Sequence, residues 1–205
     1  MGIYLVSISA GEWSGEDDDE DEDEEEEGTG YGPRAAALND ALRARGLPPF
    51  TSLPEEAPFV RGSGLAFEEK LVPPMDGFVA LCEAHLSPAE TEVLCGWTLL
   101  VPISLDEEIS LPVASAYTDE TMVAGAPQVL ALAERLAEAV GLPSAVPATS
   151  DNLELTTWFR DGAAKDLAAT RPGPWADDLD TAFYVALYLR AAQFVLRRGS
   201  PVAYS

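Results

Sequence analysis

Residues 178–198 read Asp-Leu-Asp-Thr-Ala-Phe-Tyr-Val-Ala-Leu-Tyr-Leu-Arg-Ala-Ala-Gln-Phe-Val-Leu-Arg-Arg, and this stretch has the pattern of one long helix. Its middle, residues 183–189, is apolar on almost every side, which is typical of a helix buried inside a domain. Acidic residues stand at its start and Arg197 and Arg198 at its end, as the helix dipole favours. The sequence therefore predicts that a long C-terminal helix is the central packing element of the fold.

Strand-like and helix-like patterns alternate in the rest of the chain. Apolar, β-branched or aromatic runs predict strands at residues 3–8, 97–105, 109–117, 153–159 and 202–204, with the second and third forming a hairpin. Helical patterns cover residues 33–45, 76–86 and 126–140, and a capping box begins another short helix at Ser87. We therefore expect an α+β or α/β fold, with a mixed sheet packed against about four helices in one compact domain, residues 1–205.

A run of twelve consecutive acidic residues, 16–27, interrupts this pattern and is called the acidic run below. Like charges at neighbouring positions repel, so a block of this length is typical of a solvated segment or an interaction site. A glycine-rich stretch, residues 28–32, follows it. The sequence predicts that residues 14–32 form an acidic and glycine-rich loop insertion between the first strand and the first helix, tethered at both ends.

The formal net charge of the chain is −24, from 36 acidic and 12 basic residues. The acidic run supplies half of it, so the remainder of the chain still carries −12. Nucleic acids and anionic membranes attract proteins through Lys and Arg, so this charge argues against both as direct partners. A basic protein surface is the expected partner, because complementary potentials accelerate encounter and select partners.

Composition also suggests where the protein works. Residues 1–8 lack the positive region and the cleavage site of a signal peptide, and no apolar run reaches the ~20 residues of a membrane span. These features favour a cytoplasmic protein. There are more Arg than Lys residues, and the chain is rich in Ala, Gly and Pro. This composition favours a GC-rich bacterial genome.

Two tryptophans beside acidic stretches suggest an interface. An exposed aromatic ring next to carboxylates is the composition of a surface that receives Arg or Lys. The residues predicted to bind the partner are Trp13, Glu16, Asp17, Asp18, Asp19, Glu20, Asp21, Trp175, Asp177 and Asp178. Two simpler interpretations stay open: the tryptophans are buried under loops, and the two last aspartates cap the C-terminal helix.

The other group that merits attention is Cys82, His85 and Cys95. Cys82 and His85 share a helix face, so they are an alternative nucleophile pair, with Glu83 as an orienting acid. Together with Cys95 they are an alternative metal site, although a fourth ligand is lacking because His85 is the only histidine. The simpler interpretation is that both cysteines are free thiols in the core and that no cofactor is bound.

The remaining motifs argue against common enzymes. The chain has no Walker A sequence, no Gly-x-Ser-x-Gly elbow and no His-Glu-x-x-His, and residues 28–32 are not the dinucleotide fingerprint. The acidic run fails as an EF-hand because Glu22 and Gly28 occupy its sixth and twelfth positions, but a Ca²⁺-responsive module remains an alternative.

The leading hypothesis is a non-enzymatic acidic binding protein that engages a basic protein, in its most concrete form an immunity or inhibitor protein against a nuclease-type toxin. The second hypothesis is an enzyme or metal-binding accessory protein built on Cys82 and His85.

Overall fold

The computed structural model describes residues 2–15, 31–51, 53–58 and 60–205. One mixed sheet runs through this part of the chain, with its strands in the order β2-β1-β6-β3-β5-β4. Neighbouring strands are antiparallel except for β3 and β5, which are parallel. The strands are β1 (Ile3–Ser7), β2 (Glu68–Leu71), β3 (Leu99–Val101), β4 (Ile109–Leu111), β5 (Thr121–Gly125) and β6 (Val202–Tyr204).

Nine helices accompany the sheet in the described residues, and four of them have ten residues or more. The long ones are α2 (Tyr31–Ala44), α3 (Asp76–His85), α5 (Ala126–Val140) and α9 (Leu179–Arg198). The short ones are α1 (Ala10–Ser14), α4 (Pro88–Cys95), α6 (Glu154–Arg160), α7 (Ala163–Thr170) and α8 (Pro174–Asp177). The predicted α+β class, with a mixed sheet and a long C-terminal helix, is confirmed.

Helix α9 is the centre of the fold. Thirteen of its 20 residues are buried, and it packs against α3, α5, α6 and α8. Asp178 caps its first turn, and Gly199 ends it in the left-handed conformation with φ 73°. By length and composition alone α9 is able to cross a membrane, but 72% of its most apolar stretch is buried by the rest of the chain. That burial is the behaviour of a core helix.

The sheet separates two apolar cores because side chains alternate across a strand. On one face, Leu5, Leu100 and Val202 join the cluster of α3, α5 and α9, and we call this the α9 side. On the other face, Leu99, Val101 and other sheet residues pack against α1 and α2, and we call this the α2 side. Helix α2 lies over the β3, β5 and β4 half of the sheet, while residues 54–57 and 65–66 approach the β1 and β2 half.

The predicted strand at residues 153–159 is wrong, because Leu153 caps a helix there, α6 (Glu154–Arg160). Its start is shaped by tertiary contacts: Leu153 takes a positive φ of 54°, and the fully buried carboxylate of Glu69 accepts hydrogen bonds from the backbone N–H groups of Leu155 (2.7 Å) and Thr156 (2.9 Å). A side chain of β2 thus supplies the acceptor that the first turn of a helix lacks. The apolar and β-branched residues of this segment did not reveal that partner.

The predicted hairpin of residues 97–105 and 109–117 is also wrong. The two runs contain β3 and β4, but β5 lies between them in the sheet. The antiparallel pair is β4 with β5, in which Leu111 faces Thr121. Strand β5 is short and almost wholly buried, so it lacks the alternation that marks a half-exposed strand.

Helix α1 precedes the acidic run, so the run follows a short helix and not the first strand directly. Ser9 and Glu12 form a capping box at the start of α1, and Gly15 ends it with φ 76°. The backbones of Gly15 and Gly32 pack together, since a Cβ on Gly32 would lie 3.6 Å from the Gly15 Cα. Residues 16–30 themselves lie outside the described residues. The two ends of the described chain on either side of the acidic run, Gly15 and Tyr31, are therefore close together.

Candidate functional site: an acidic cleft

A cleft of about 350 Å³ opens on the α2 side of the sheet, beside the C-terminal end of α9. A neighbouring depression of about 440 Å³ shares Ser9, Glu55 and Glu56 with it and extends along α1 to Ser14. We call the two together the acidic cleft. Its charged lining residues are Glu12, Glu55, Glu56, Glu68 and Arg198.

The floor of the acidic cleft is the edge of the sheet formed by β1 and β2. Val6 of β1 and Glu68 of β2 are paired in the sheet and both line the cleft, whereas Leu5 and Glu69, the next pair along, face the α9 side. This arrangement follows from the two-residue period of a strand. It places one carboxylate and one aliphatic side chain next to each other on the floor.

One wall is the segment around Glu55 and Glu56, which two contacts hold against α1. The Pro54 carbonyl accepts a hydrogen bond from the Ala10 backbone N–H at 3.1 Å. Upstream, the ring of Phe50 packs edge-on against Trp13, with 5.7 Å between ring centroids. The proline-rich character of this segment disfavours regular structure, so these contacts determine where its carboxylates lie.

The opposite wall contains Leu65 and Ala66, and Asp151 determines its shape. This carboxylate is fully buried and accepts hydrogen bonds from the Ser63 hydroxyl and from three consecutive backbone N–H groups, those of Gly64, Leu65 and Ala66. A buried carboxylate is stable only when such donors surround it. The wall is therefore rigidly attached to the segment that leads into α6.

The lining of the acidic cleft is strongly negative. It has four carboxylates against the single guanidinium of Arg198, whose Nε is buried and has no hydrogen-bond partner in the described residues. The described part of the chain has three ion pairs, and none of them includes these four carboxylates. Ser14 also lines the cleft, and the acidic run begins two residues later, so its twelve charges are attached at the rim.

The predicted aromatic anchors are not exposed. Trp13 is 5% and Trp175 is 4% exposed, so the alternative interpretation, burial, holds for both. They also lie on opposite faces of the sheet, because Trp13 packs in the cluster of the α2 side and Trp175 in that of the α9 side. The expectation of one exposed surface containing both rings is therefore wrong. Trp13 instead supports the wall of the acidic cleft through Phe50.

Asp177 and Asp178 lie away from the acidic cleft. Both stand at the N-terminal end of α9, whereas Arg198, which lines the cleft, is the last residue of that helix. Asp178 caps α9 by accepting hydrogen bonds from the Thr181 backbone N–H (3.0 Å) and hydroxyl (2.7 Å). Burial opposes ionisation of Asp178, but these hydrogen bonds outweigh it and lower its pKa. Asp177 is exposed.

The structure does not bring Cys82 and His85 together as a catalytic pair. Cys82 is fully buried, while the His85 side chain is exposed at the end of α3. Cys82 belongs to the apolar cluster of the α9 side, and Cys95 packs against that cluster. Within the described ranges, no three His, Cys, Asp or Glu side chains are grouped as metal ligands. The acidic run, for which Ca²⁺ binding is an alternative interpretation, lies outside the described residues. So do the partner-binding residues predicted within it, which are Glu16, Asp17, Asp18, Asp19, Glu20 and Asp21.

The carboxylates of the acidic cleft were not predicted from the sequence. The adjacent acids Glu55 and Glu56 in a proline-rich segment were the available signal, but nothing local connects them with Glu12 or Glu68. Comparison of the chain with known protein families, with curated proteins and with solved structures found no significant match.

Proposed function

We propose that this protein is a non-enzymatic acidic binding protein that engages a basic surface of a protein partner through the acidic cleft. The observation that supports this most is the concentration of Glu12, Glu55, Glu56 and Glu68 around a concave surface without ion pairs to them in the described chain. Exposed carboxylates close together repel one another, and a ligand with Arg or Lys side chains relieves that repulsion.

The mixed lining suits Arg and Lys better than a simple cation. These side chains carry aliphatic stems that prefer an apolar surface and a charged end that prefers carboxylates. Val6 and Leu65 offer the apolar surface next to Glu55 and Glu68. The −12 charge outside the acidic run makes the field around the cleft negative over a longer distance, which raises association rates with a basic partner.

The most concrete form of this function is inhibition of a nuclease-type toxin. The active site of a nuclease is built to receive phosphates, so carboxylates held in fixed positions are able to occupy it. Two features hold the lining in place: the capping box of α1, which includes Glu12, and the four hydrogen bonds to Asp151. The partner is then expected to be a basic protein that loses its activity on nucleic acid when bound.

The decisive experiment compares two pairs of substitutions that each remove two negative charges. Glu55→Gln with Glu56→Gln removes two charges from the acidic cleft, and Glu134→Gln with Glu138→Gln removes two exposed charges from α5 on the other side of the sheet. Tagged protein captures its partner from a lysate of the source cells, and association rates with the purified partner are then measured at several salt concentrations. The cleft pair should slow association by about tenfold at low salt and flatten the salt dependence.

Deleting residues 16–27 tests the acidic run in the same assay. Gly15 and Gly32 are in contact, so residues 28–30 suffice to rejoin the chain without disturbing α1 or α2. The deletion should also slow association. The proposal is refuted if the captured protein is acidic, if the cleft pair binds it as fast as the α5 pair does, or if no protein is captured.

A further inference from the structure

Arg34, in the first turn of α2, is the one arginine that the described fold buries, with 7% of its surface exposed. Its Nε atom donates a hydrogen bond to the Ala114 carbonyl at 2.9 Å, and its guanidinium carbon lies 4.9 Å from the centre of the Tyr31 ring. None of the three ion pairs in the described part of the chain includes Arg34. The guanidinium is thus held by a carbonyl group and an aromatic ring, and not by a carboxylate of these residues.

A buried charge of this kind requires compensation. Removing a charged group from water is unfavourable unless an opposite charge accompanies it. Buried lysines and carboxyl groups are able to become neutral, but a guanidinium does not lose its proton in a protein. Tyr31 does not supply a negative charge either, because burial raises the pKa of its phenol and outweighs the opposite effect of Arg34. The position of Arg34 therefore favours an anion beside it.

The N-terminal end of α2 favours an anion at the same place. The first turn of a helix has backbone N–H groups without partners in the helix, and it is the positive end of the helix dipole. The first turn of α2 contains no acidic side chain that would offset this charge. The positive end of a 14-residue helix and a buried guanidinium are therefore adjacent.

A small cavity of about 10 Å³, which we call the Arg34 cavity, lies between α2, the strands β3, β5 and β6, and the loop after β4. Its polar lining residues include Arg34, Thr98, Ser115 and Thr121. A cavity of this volume holds about one water-sized species, so a phosphate or sulfate is too large and a monatomic anion fits with the least rearrangement. Ala116 also lines the cavity and is exposed, so an ion from solvent reaches this place without unfolding of the chain.

We propose that the Arg34 cavity binds a halide ion, with chloride as the physiological example. The ion compensates the charge of Arg34 and ties α2 to the loop that carries Ala114 and Ser115. The site does not depend on the proposed binding function, because it shares no lining residue with the acidic cleft.

The net charge of the chain limits the affinity of this site and makes the response specific. A formal charge of −24 repels anions from the surface, so an anion binds only where a local positive charge outweighs that field. Water and salt screen the charge of an exposed arginine, whereas a buried guanidinium is screened much less. We therefore expect chloride to bind in the millimolar range and its effect to depend on Arg34.

The test measures thermal unfolding of the full chain in mixtures of sodium chloride and sodium gluconate at constant ionic strength, since gluconate is too large for the Arg34 cavity. The midpoint of the wild type should rise by about 3 °C as chloride increases to about 100 mM and then level off, because an ion that binds only the folded state stabilises it. Arg34→Met removes the charge and should abolish this dependence. Arg43→Met is the matched control, because it removes an exposed arginine from the same helix and should keep the dependence.

A second measurement needs only the wild type, so the proposal stays testable even if Arg34→Met fails to fold. Crystals soaked in sodium bromide should show an anomalous scattering peak in contact with the Arg34 guanidinium. The proposal is overturned if bromide is absent there, if the wild-type midpoint does not depend on chloride, or if Arg34→Met keeps the full dependence. It is equally overturned if only a protein lacking residues 16–27 responds to chloride, since a carboxylate of the acidic run is then the anion at Arg34.

Discussion

Replacing Asp151 with asparagine should destabilise the protein far more than the loss of one surface charge would. The Oδ1 atom of Asp151 accepts hydrogen bonds from the Ser63 hydroxyl (2.8 Å) and from the backbone N–H groups of Leu65 (3.0 Å) and Ala66 (3.2 Å). The Oδ2 atom accepts one from the Gly64 N–H at 2.8 Å. The side chain is fully buried, so water does not replace a lost bond.

The magnitude follows from these four bonds. With its oxygen at the Oδ1 position, the amide keeps three of them but turns its NH₂ group towards the Gly64 N–H, so that two donors face each other. An unsatisfied buried N–H costs about 1–3 kcal/mol, and each bond that changes from a charged to a neutral acceptor loses roughly 0.5–1 kcal/mol. The expected loss in the free energy of unfolding is about 3–5 kcal/mol, or about 10 °C in the unfolding midpoint of a chain of this size.

Asp119→Asn is the matched control, because Asp119 is exposed and makes no side-chain hydrogen bond in the described part of the chain. Its effect should stay within about 0.5 kcal/mol. Thermal and urea unfolding followed by circular dichroism give both values, and hydrogen exchange at residues 64–66 reports whether the damage is local. If Asp151→Asn unfolds within about 2 °C of the control, the reasoning from these four bonds is refuted.

Two further predictions concern helix ends. A backbone N–H at the N-cap of α4 and the Arg135 side chain lower the pKa of Glu90 to about 2, from an unfolded value near 4.5. The ionised Glu90 therefore stabilises the fold above pH 4.5, and this contribution is lost as the pH falls towards 2. The thermal unfolding midpoints of wild type and Glu90→Gln should converge over that pH range. A difference between the two midpoints that stays constant with pH would contradict this. A Cβ on Gly77 would clash with the Asp178 carboxylate that caps α9, so Gly77→Ala should cost about 1–3 kcal/mol. Gly173→Ala is its control, where a Cβ meets no atom closer than 3.5 Å, and equal unfolding midpoints for the two variants would contradict the clash.

The elements that sequence predicted correctly are those whose signals are local. The apolar centre of α9, the face of α5 and the capping box at Ser87 all arise from residues within a few positions of one another. A helix with such a pattern buries the same face in almost any fold, so its position along the chain is readable without knowledge of its neighbours.

The errors share a different cause. Residues 153–159 are β-branched and aromatic enough for a strand, but Glu69 of β2 supplies the acceptors that start a helix there. Strand β5 is buried between β3 and β4, so its residues lack the alternation of a half-exposed strand. In both cases a contact with a distant part of the chain outweighed a weak local preference.

The amino-acid sequence was sufficient for the fold class, the central helix, the negative charge of the chain and the number of thiols. These properties add up residue by residue, or depend on a short period, and do not require knowledge of which distant residues meet. Tertiary structure alone placed Glu12, Glu55, Glu56 and Glu68 around one cleft and put Trp13 and Trp175 on opposite faces of the sheet. The reason is that contacts between residues far apart in the sequence depend on strand order and helix packing, which local sequence patterns do not specify.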